Sequence, residues 1–157
     1  MQTTRPATEA DAALITAHRR AMFASMPNPQ DAVLDAMSRA FEPWVRERIA
    51  ESKYLGWIVE DEGRVAGSAG MMIVDWPPHP LHPEDNRRAY LLNVFVAPEF
   101  RKRGLAHSLV ERCLGEARLR GIRVVTLHSS DAGRPVYEKF GFHSTSEMMF
   151  VDSEQAR

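Results

Sequence analysis

The chain has one cysteine, Cys113, in 157 residues. A lone thiol closes no internal disulfide and gathers no metal-ligand cluster, and it is compatible with a reducing, cytoplasmic setting. Long apolar runs are absent: no stretch approaches the roughly 20 consecutive apolar residues of a membrane span. The opening residues, Met1-Gln2-Thr3-Thr4-Arg5-Pro6, lack the apolar core of a signal peptide. Neither sign of charge dominates, because the formal net charge is −1. No global field therefore points to nucleic acid or a membrane surface as a partner. Internal repeats and low-complexity tracts are also missing. What remains is a chain with 44% hydrophobic and 26% charged residues, the composition of a soluble globular protein and the length of a single domain, 1–157.

Hydrophobic periodicity and turn residues divide the chain. Thr8-Glu9-Ala10-Asp11 reads as a helix N-terminus, and Ile15, His18 and Met22 then share one face. Pro27-Asn28-Pro29 ends that helix. A second helical pattern covers Asp31 to Ala50, and Pro43 within it predicts a kink or two helices. Tyr54–Glu60 and Arg64–Val74 read as a hairpin turning at Asp61-Glu62-Gly63. A loop with four prolines (Pro77, Pro78, Pro80 and Pro83) follows. Ala89–Val96 is apolar on both faces, as a central strand is. A helix from about Gly104 to Arg120, capped by Gly121, leads to a strand over Ile122–His128. A short helix over Ala132–Phe140 and a last strand over Met148–Val151 complete the pattern. Helices and a hairpin followed by alternating strands and helices predict an α/β fold with a mixed sheet.

The junction Val94-Phe95-Val96-Ala97-Pro98-Glu99-Phe100-Arg101-Lys102-Arg103-Gly104-Leu105-Ala106 carries the clearest chemistry. A strand gives way to a basic loop and then to a long helix. A helix start offers unpaired amides and a partial positive charge to a phosphate group, and Gly104 leaves the backbone open to an anion. A solvated basic turn before an ordinary helix would look similar. A nucleotide P-loop and a dinucleotide fingerprint both fail for want of their glycines and of the lysine-serine/threonine pair.

Arg101-x-x-Gly104-x-Ala106, after a Val-x-Val strand and a proline, resembles the Arg/Gln-x-x-Gly-x-Gly/Ala signature of the GNAT (Gcn5-related N-acetyltransferase) superfamily. Val136-Tyr137-Glu138-Lys139-Phe140-Gly141-Phe142 resembles its second hallmark, Tyr-Glu-Lys-x-Gly-Phe. The close likeness covers Tyr90–Phe142. It implies a mixed, mostly antiparallel central sheet flanked by helices and splayed between the fourth and fifth strands, with acetyl-CoA as co-substrate and no metal. It further implies that the amides from Arg101 through Lys102, Arg103, Gly104 and Leu105 to Ala106 hold the coenzyme A pyrophosphate. The backbone of Val94, Phe95 and Val96 would bind the pantetheine arm and thioester carbonyl. Tyr137 resembles the general acid that protonates the leaving thiolate; a phenol with a reference pKa of about 10 stays protonated at neutral pH. A tyrosine that only packs its ring is the alternative.

Ser130 occupies a position where many members have asparagine; it can cap the following helix but has no amide. Arg134, near the same helix start, could meet an anionic part of coenzyme A. The implied activity is N-acetylation of a primary amine by direct attack on the thioester, the acceptor being a small molecule or a peptide. A module that binds or senses acyl-CoA without chemistry is the rival, and a nucleotide-binding regulator is a further one. Dimers are frequent in the family, which leaves a homodimer open, and the sequence does not fix the oligomeric state. Candidate bases are Glu84, Asp75, His79, His82 and Glu60, whereas His18 is expected to pack and Cys113 to lie in the core.

Overall fold

The computed structural model describes residues 1–152. Its elements in chain order are β1 (Gln2–Pro6), α1 (Ala12–Ala24), α2 (Asp31–Ala50), β2 (Tyr54–Asp61), β3 (Arg64–Asp75), β4 (Arg87–Val96), α3 (Leu105–Leu119), β5 (Val125–Leu127) and α4 (Arg134–Glu138). The five strands form one sheet in sequential order. The first four pair antiparallel, and β5 joins β4 in parallel. This is a mixed α/β fold with a mostly antiparallel, open sheet.

Local chemistry explains most of the boundaries. The β2–β3 hairpin turns on Glu62 and Gly63, both with positive φ, the geometry whose twist matches paired strands. The amide of Thr8 donates to the Asp11 carboxylate at 2.8 Å at the approach to α1. Arg5 grips that carboxylate from β1 at 2.8 Å, holding its pKa down at about 2. At the far end of α3, Gly121 takes a left-handed φ and Ile122 donates to Ala117 O, closing the helix as expected.

Two hydrophobic clusters fill the faces of the sheet. Against one face pack Leu105, Leu109, Val110, Cys113 and Ala117 of α3 with Ala89 and Leu91 of β4. Against the other pack Ala12, Ile15, Phe41 and Val45 of α1 and α2 with Tyr54 and Ile58. Each large buried side chain contributes about 1.5–3 kcal/mol.

Four expectations are corrected. α2 is one helix through Pro43 rather than two; Pro43 and Arg39 both face solvent, and the carbonyl deprived of its amide partner can turn to water. β5 covers three residues instead of the seven of Ile122–His128, and α4 is shorter than Ala132–Phe140. Met148–Val151 forms no strand; its side chains are exposed, Met148 at 94%, and it pairs with no strand among the described residues.

Candidate active site

Strand β4 organises the site. Its register against β3 shifts between Ser68 and Gly70, and at that point Asn93 takes φ 56°. This bulge exchanges the two faces of the strand. Before it, Ala89 and Leu91 point to the α3 cluster. After it, Val94 and Val96 do so, while Phe95 turns to α1. Asn93 is buried, and its Nδ2 donates to the Tyr54 hydroxyl at 3.1 Å. That phenol lies across Gly70, where a β-carbon would overlap it; glycine is required there for close approach.

Pairing between β4 and β5 covers Ala89, Tyr90 and Leu91 only. From Leu92 to Val96, strand β4 has no paired strand on that side among the described residues, so the sheet opens between its fourth and fifth strands. At the point of parting, the Tyr90 hydroxyl hydrogen-bonds His128 Nδ1.

Beyond Val96 the basic loop leads into α3. Lys102 has φ 61° and Gly104 φ 79°, flanking Arg103. Gly104 is the N-cap and gives α3 no side-chain cap, so the first amides of the helix stay free for an anion. A β-carbon on Gly104 would meet nothing within 4 Å; the left-handed φ is what favours glycine there. The three basic side chains are not equivalent. Arg101 folds back and donates from Nε to Val96 O at 3.1 Å. Arg103 reaches Asp61 at 3.3 Å. Lys102 makes no ion pair among the described residues.

On the other side of the opening, α4 carries Tyr137, whose ring packs on the α3-face cluster that also holds Val94 and Val96. Tyr137 meets Phe142 edge-on, with ring centres 5.9 Å apart. Burial, with the nearby Cys113 thiol, pushes its pKa up. His107, one turn into α3, stacks on Phe140 at 4.3 Å, which ties the basic loop's helix to the helix of Tyr137. Ser130 Oγ accepts from the Gly133 amide at 3.1 Å, which closes the turn leading into α4; the N-cap of that helix is Gly133, without a side-chain cap. Arg134 donates to Ser144 at 3.1 Å and lies 3.6 Å from Glu138. A cleft of about 680 Å³ runs past β5 and α4, lined by His128, Arg134, Tyr137 and Glu147 among others. The loop Arg101–Ala106 lies outside this cleft.

Of the expected bases, His79, His82 and Asp75 are engaged in building the proline-rich loop, whereas Glu84 is exposed and makes no side-chain hydrogen bond or ion pair among the described residues. His82 is buried, sharing Nδ1 with Asp85 O and accepting from Arg88 at Nε2. His79 accepts from the Leu81 amide, Asp75 from Asn86. Glu60 in β2 pairs with Arg5. Cys113 is fully buried, its thiol pushed up to about 12. His18 packs as expected, whereas sequence reasoning missed the pairing of Arg19 with Asn93 that α1 and β4 bring together. His18 Nδ1 lies 2.7 Å from Ser68 Oγ, and its ring lies 4.5 Å from that of Phe95. Arg19 Nη1 donates to Asn93 Oδ1 at 2.7 Å. An asparagine inside an otherwise apolar strand was the one available signal, since asparagine tolerates a left-handed φ.

A family model described as Acetyltransferase (GNAT) family matches residues 18–142. The fold superposes on a GCN5-related N-acetyltransferase from Ralstonia eutropha JMP134 with a TM-score of 0.92 and 35% identity, over 98% of this chain and 99% of that one. A predicted acetyltransferase from Clostridium acetobutylicum, solved with acetyl-CoA, matches with a TM-score of 0.84 and 25% identity, over 99% of this chain and 98% of that one. Among curated proteins, glucosamine 6-phosphate N-acetyltransferase of Trypanosoma brucei brucei is 33% identical over 91 residues, 57% of this chain and 58% of its own length. The chain spans 40% to 58% of the lengths of the curated relatives it matches.

Proposed function

Because the chain belongs to the acetyltransferase (GNAT) family, we propose that it transfers an acetyl group from acetyl-CoA to a primary amine by direct attack of the amine on the thioester. The observation that carries this reading is the opening of the sheet after Leu91 beside the uncapped N-terminus of α3. One feature offers a free strand edge, the other free amides.

In this reading the amides from Arg101 to Ala106 hold the diphosphate, the charge of Lys102 adding to the field of the helix. The unpaired backbone of Val94, Phe95 and Val96 takes the pantetheine amides as an added strand would. Arg101 already occupies Val96 O, so the remaining groups of the strand do this work. Tyr137, kept protonated by its raised pKa, gives a proton to the departing sulfur as the C–S bond breaks and the C–N bond forms. His128, at the mouth of the opening with its Nδ1 on the Tyr90 hydroxyl, donates through that nitrogen and so keeps Nε2 free to receive the proton that the attacking amine loses. Ser130 holds α4, and so Tyr137, in place. The acceptor is a small-molecule amine, a class that includes the substrate named for the trypanosomal relative.

Calorimetric titration with acetyl-CoA, beside a reference titration with ADP, tests the donor site. Tighter binding of acetyl-CoA, followed by acetylation in a screen of polyamines, amino acids, aminoglycosides and peptide N-termini, is the expected outcome. Binding without modification of any amine would instead favour an acyl-CoA sensor. Failure to bind would reduce the Arg101–Ala106 loop to a basic turn.

A further inference from the structure

Two consecutive arginines on α1 have opposite electrostatic surroundings. Arg20 is held by Asp31 at 3.2 Å and Asp35 at 2.9 Å, both on α2. Arg19, turned toward β4, has no carboxylate partner among the described residues. Its Nη1 donates to Asn93 Oδ1. Its guanidinium carbon lies 4.9 Å from the ring centre of Phe23 and 4.8 Å from that of Phe41, and its Nε is buried without an acceptor. The phenols of Tyr54 and Tyr90 are its electrostatic neighbours, and burial raises the pKa of both, so neither supplies a negative charge at neutral pH. A half-buried cation with one neutral acceptor and an idle donor is costly, and contact with two rings offsets only part of that cost. An entering anion would offset far more.

Location gives the charge its meaning. Asn93 is the bulge within the stretch of β4 that stands free of β5 after Leu91, and Tyr90 is the residue that meets His128 at the mouth of the opening. We infer that Arg19 anchors an acidic group on the acceptor, so that the substrate is a primary amine bearing a carboxylate or a phosphate. This rests on the acetyl-transfer reading above. The planar guanidinium fork suits either anion, and Nη1 being engaged by Asn93, the remaining donors are left for it. A purely structural Arg19, holding Asn93 in its left-handed conformation, would affect acidic and neutral acceptors alike.

Matched acceptors separate the two. L-amino acids are compared with their carboxamides, and phosphoethanolamine and phosphoserine with ethanolamine and serine. Transfer is read as kcat/KM, and binding is read by calorimetry on the protein with and without saturating coenzyme A. At least one acidic member should be favoured about 10- to 100-fold over its neutral twin. The pair that discriminates tells carboxylate from phosphate. In Arg19→Met the preference should fall to about onefold, and Arg19→Lys, with the charge but not the fork, should retain part of it. Absence of any acidic preference in the wild type, or a preference that survives in Arg19→Met, overturns the inference. Failure of acetyl-CoA to bind would overturn the donor reading instead, while titration of the cofactor-free protein would still report on Arg19.

Discussion

The imidazole of His18 on α1 meets the hydroxyl of Ser68 on β3 at 2.7 Å, pinning the first helix to the sheet directly over the β4 bulge. Burial lowers the His18 pKa below its ordinary 6.5. The unfolded chain therefore takes up a proton at this residue before the folded protein does. Stability is full above pH 6.5 and declines as pH falls from there through the lowered folded value. We expect the urea midpoint to drop between pH 7.5 and 5.5 by less in His18→Gln than in the wild type. Equal slopes in both proteins would show that His18 is protonated in the fold as readily as in water.

Pro43 stands inside α2 with its ring exposed. Proline in a helix interior costs about 3 kcal/mol relative to alanine, and here its missing amide leaves the Arg39 carbonyl to solvent. Part of that cost is returned because proline also restricts the unfolded chain. Pro43→Ala should therefore raise the unfolding free energy by about 1–2 kcal/mol in urea titration, without altering acetyl-CoA binding. A loss of stability would mean that the pyrrolidine ring packs favourably.

Pro43 also shows where sequence reasoning stops. Its effect on the helix depends on which way the Arg39 carbonyl faces, a property of the assembled molecule. By contrast, the bounds of α3 were legible to within a residue, since Gly104 and Gly121 mark its ends locally. The basic loop and the Tyr137 motif were legible for the same reason. The run Met148–Val151 has the composition of a strand, yet a strand exists only where a neighbour supplies hydrogen bonds. Tyr90 and His128, or Arg19 and Asn93, come from distant segments, and only the bulge and the short parallel pairing of β5 bring them to one opening.

Gly104 and Gly121 form a matched pair. Both have left-handed φ, 79° and 71°, and a β-carbon on either would meet nothing within 4 Å. Alanine at either position should thus cost about 1–2 kcal/mol of stability through backbone strain alone. Only Gly104 lies at the N-terminus of α3, where the diphosphate is proposed to rest. Acetyl-CoA affinity should fall about tenfold or more in Gly104→Ala and stay at the wild-type value in Gly121→Ala. An equal effect of the two substitutions on affinity would remove the α3 N-terminus from the donor site.

Tyr137 offers the most direct test of the chemistry. Its hydroxyl is proposed to protonate the departing thiolate, while its ring packs against Phe142 and the core. Phenylalanine keeps the ring and removes the proton, so Tyr137→Phe should leave stability within about 1 kcal/mol. Acetyl-CoA affinity should change little, since the lost group acts on the sulfur only as the bond breaks. Turnover should fall about 100-fold or more, the usual contribution of a positioned general acid. Because the raised pKa keeps the phenol protonated through neutral pH, the alkaline limb of kcat in the wild type should lie above pH 10 and vanish in the variant. Turnover unchanged in Tyr137→Phe would leave the thiolate to depart unaided or with another donor, and would reduce Tyr137 to a packing residue of α4.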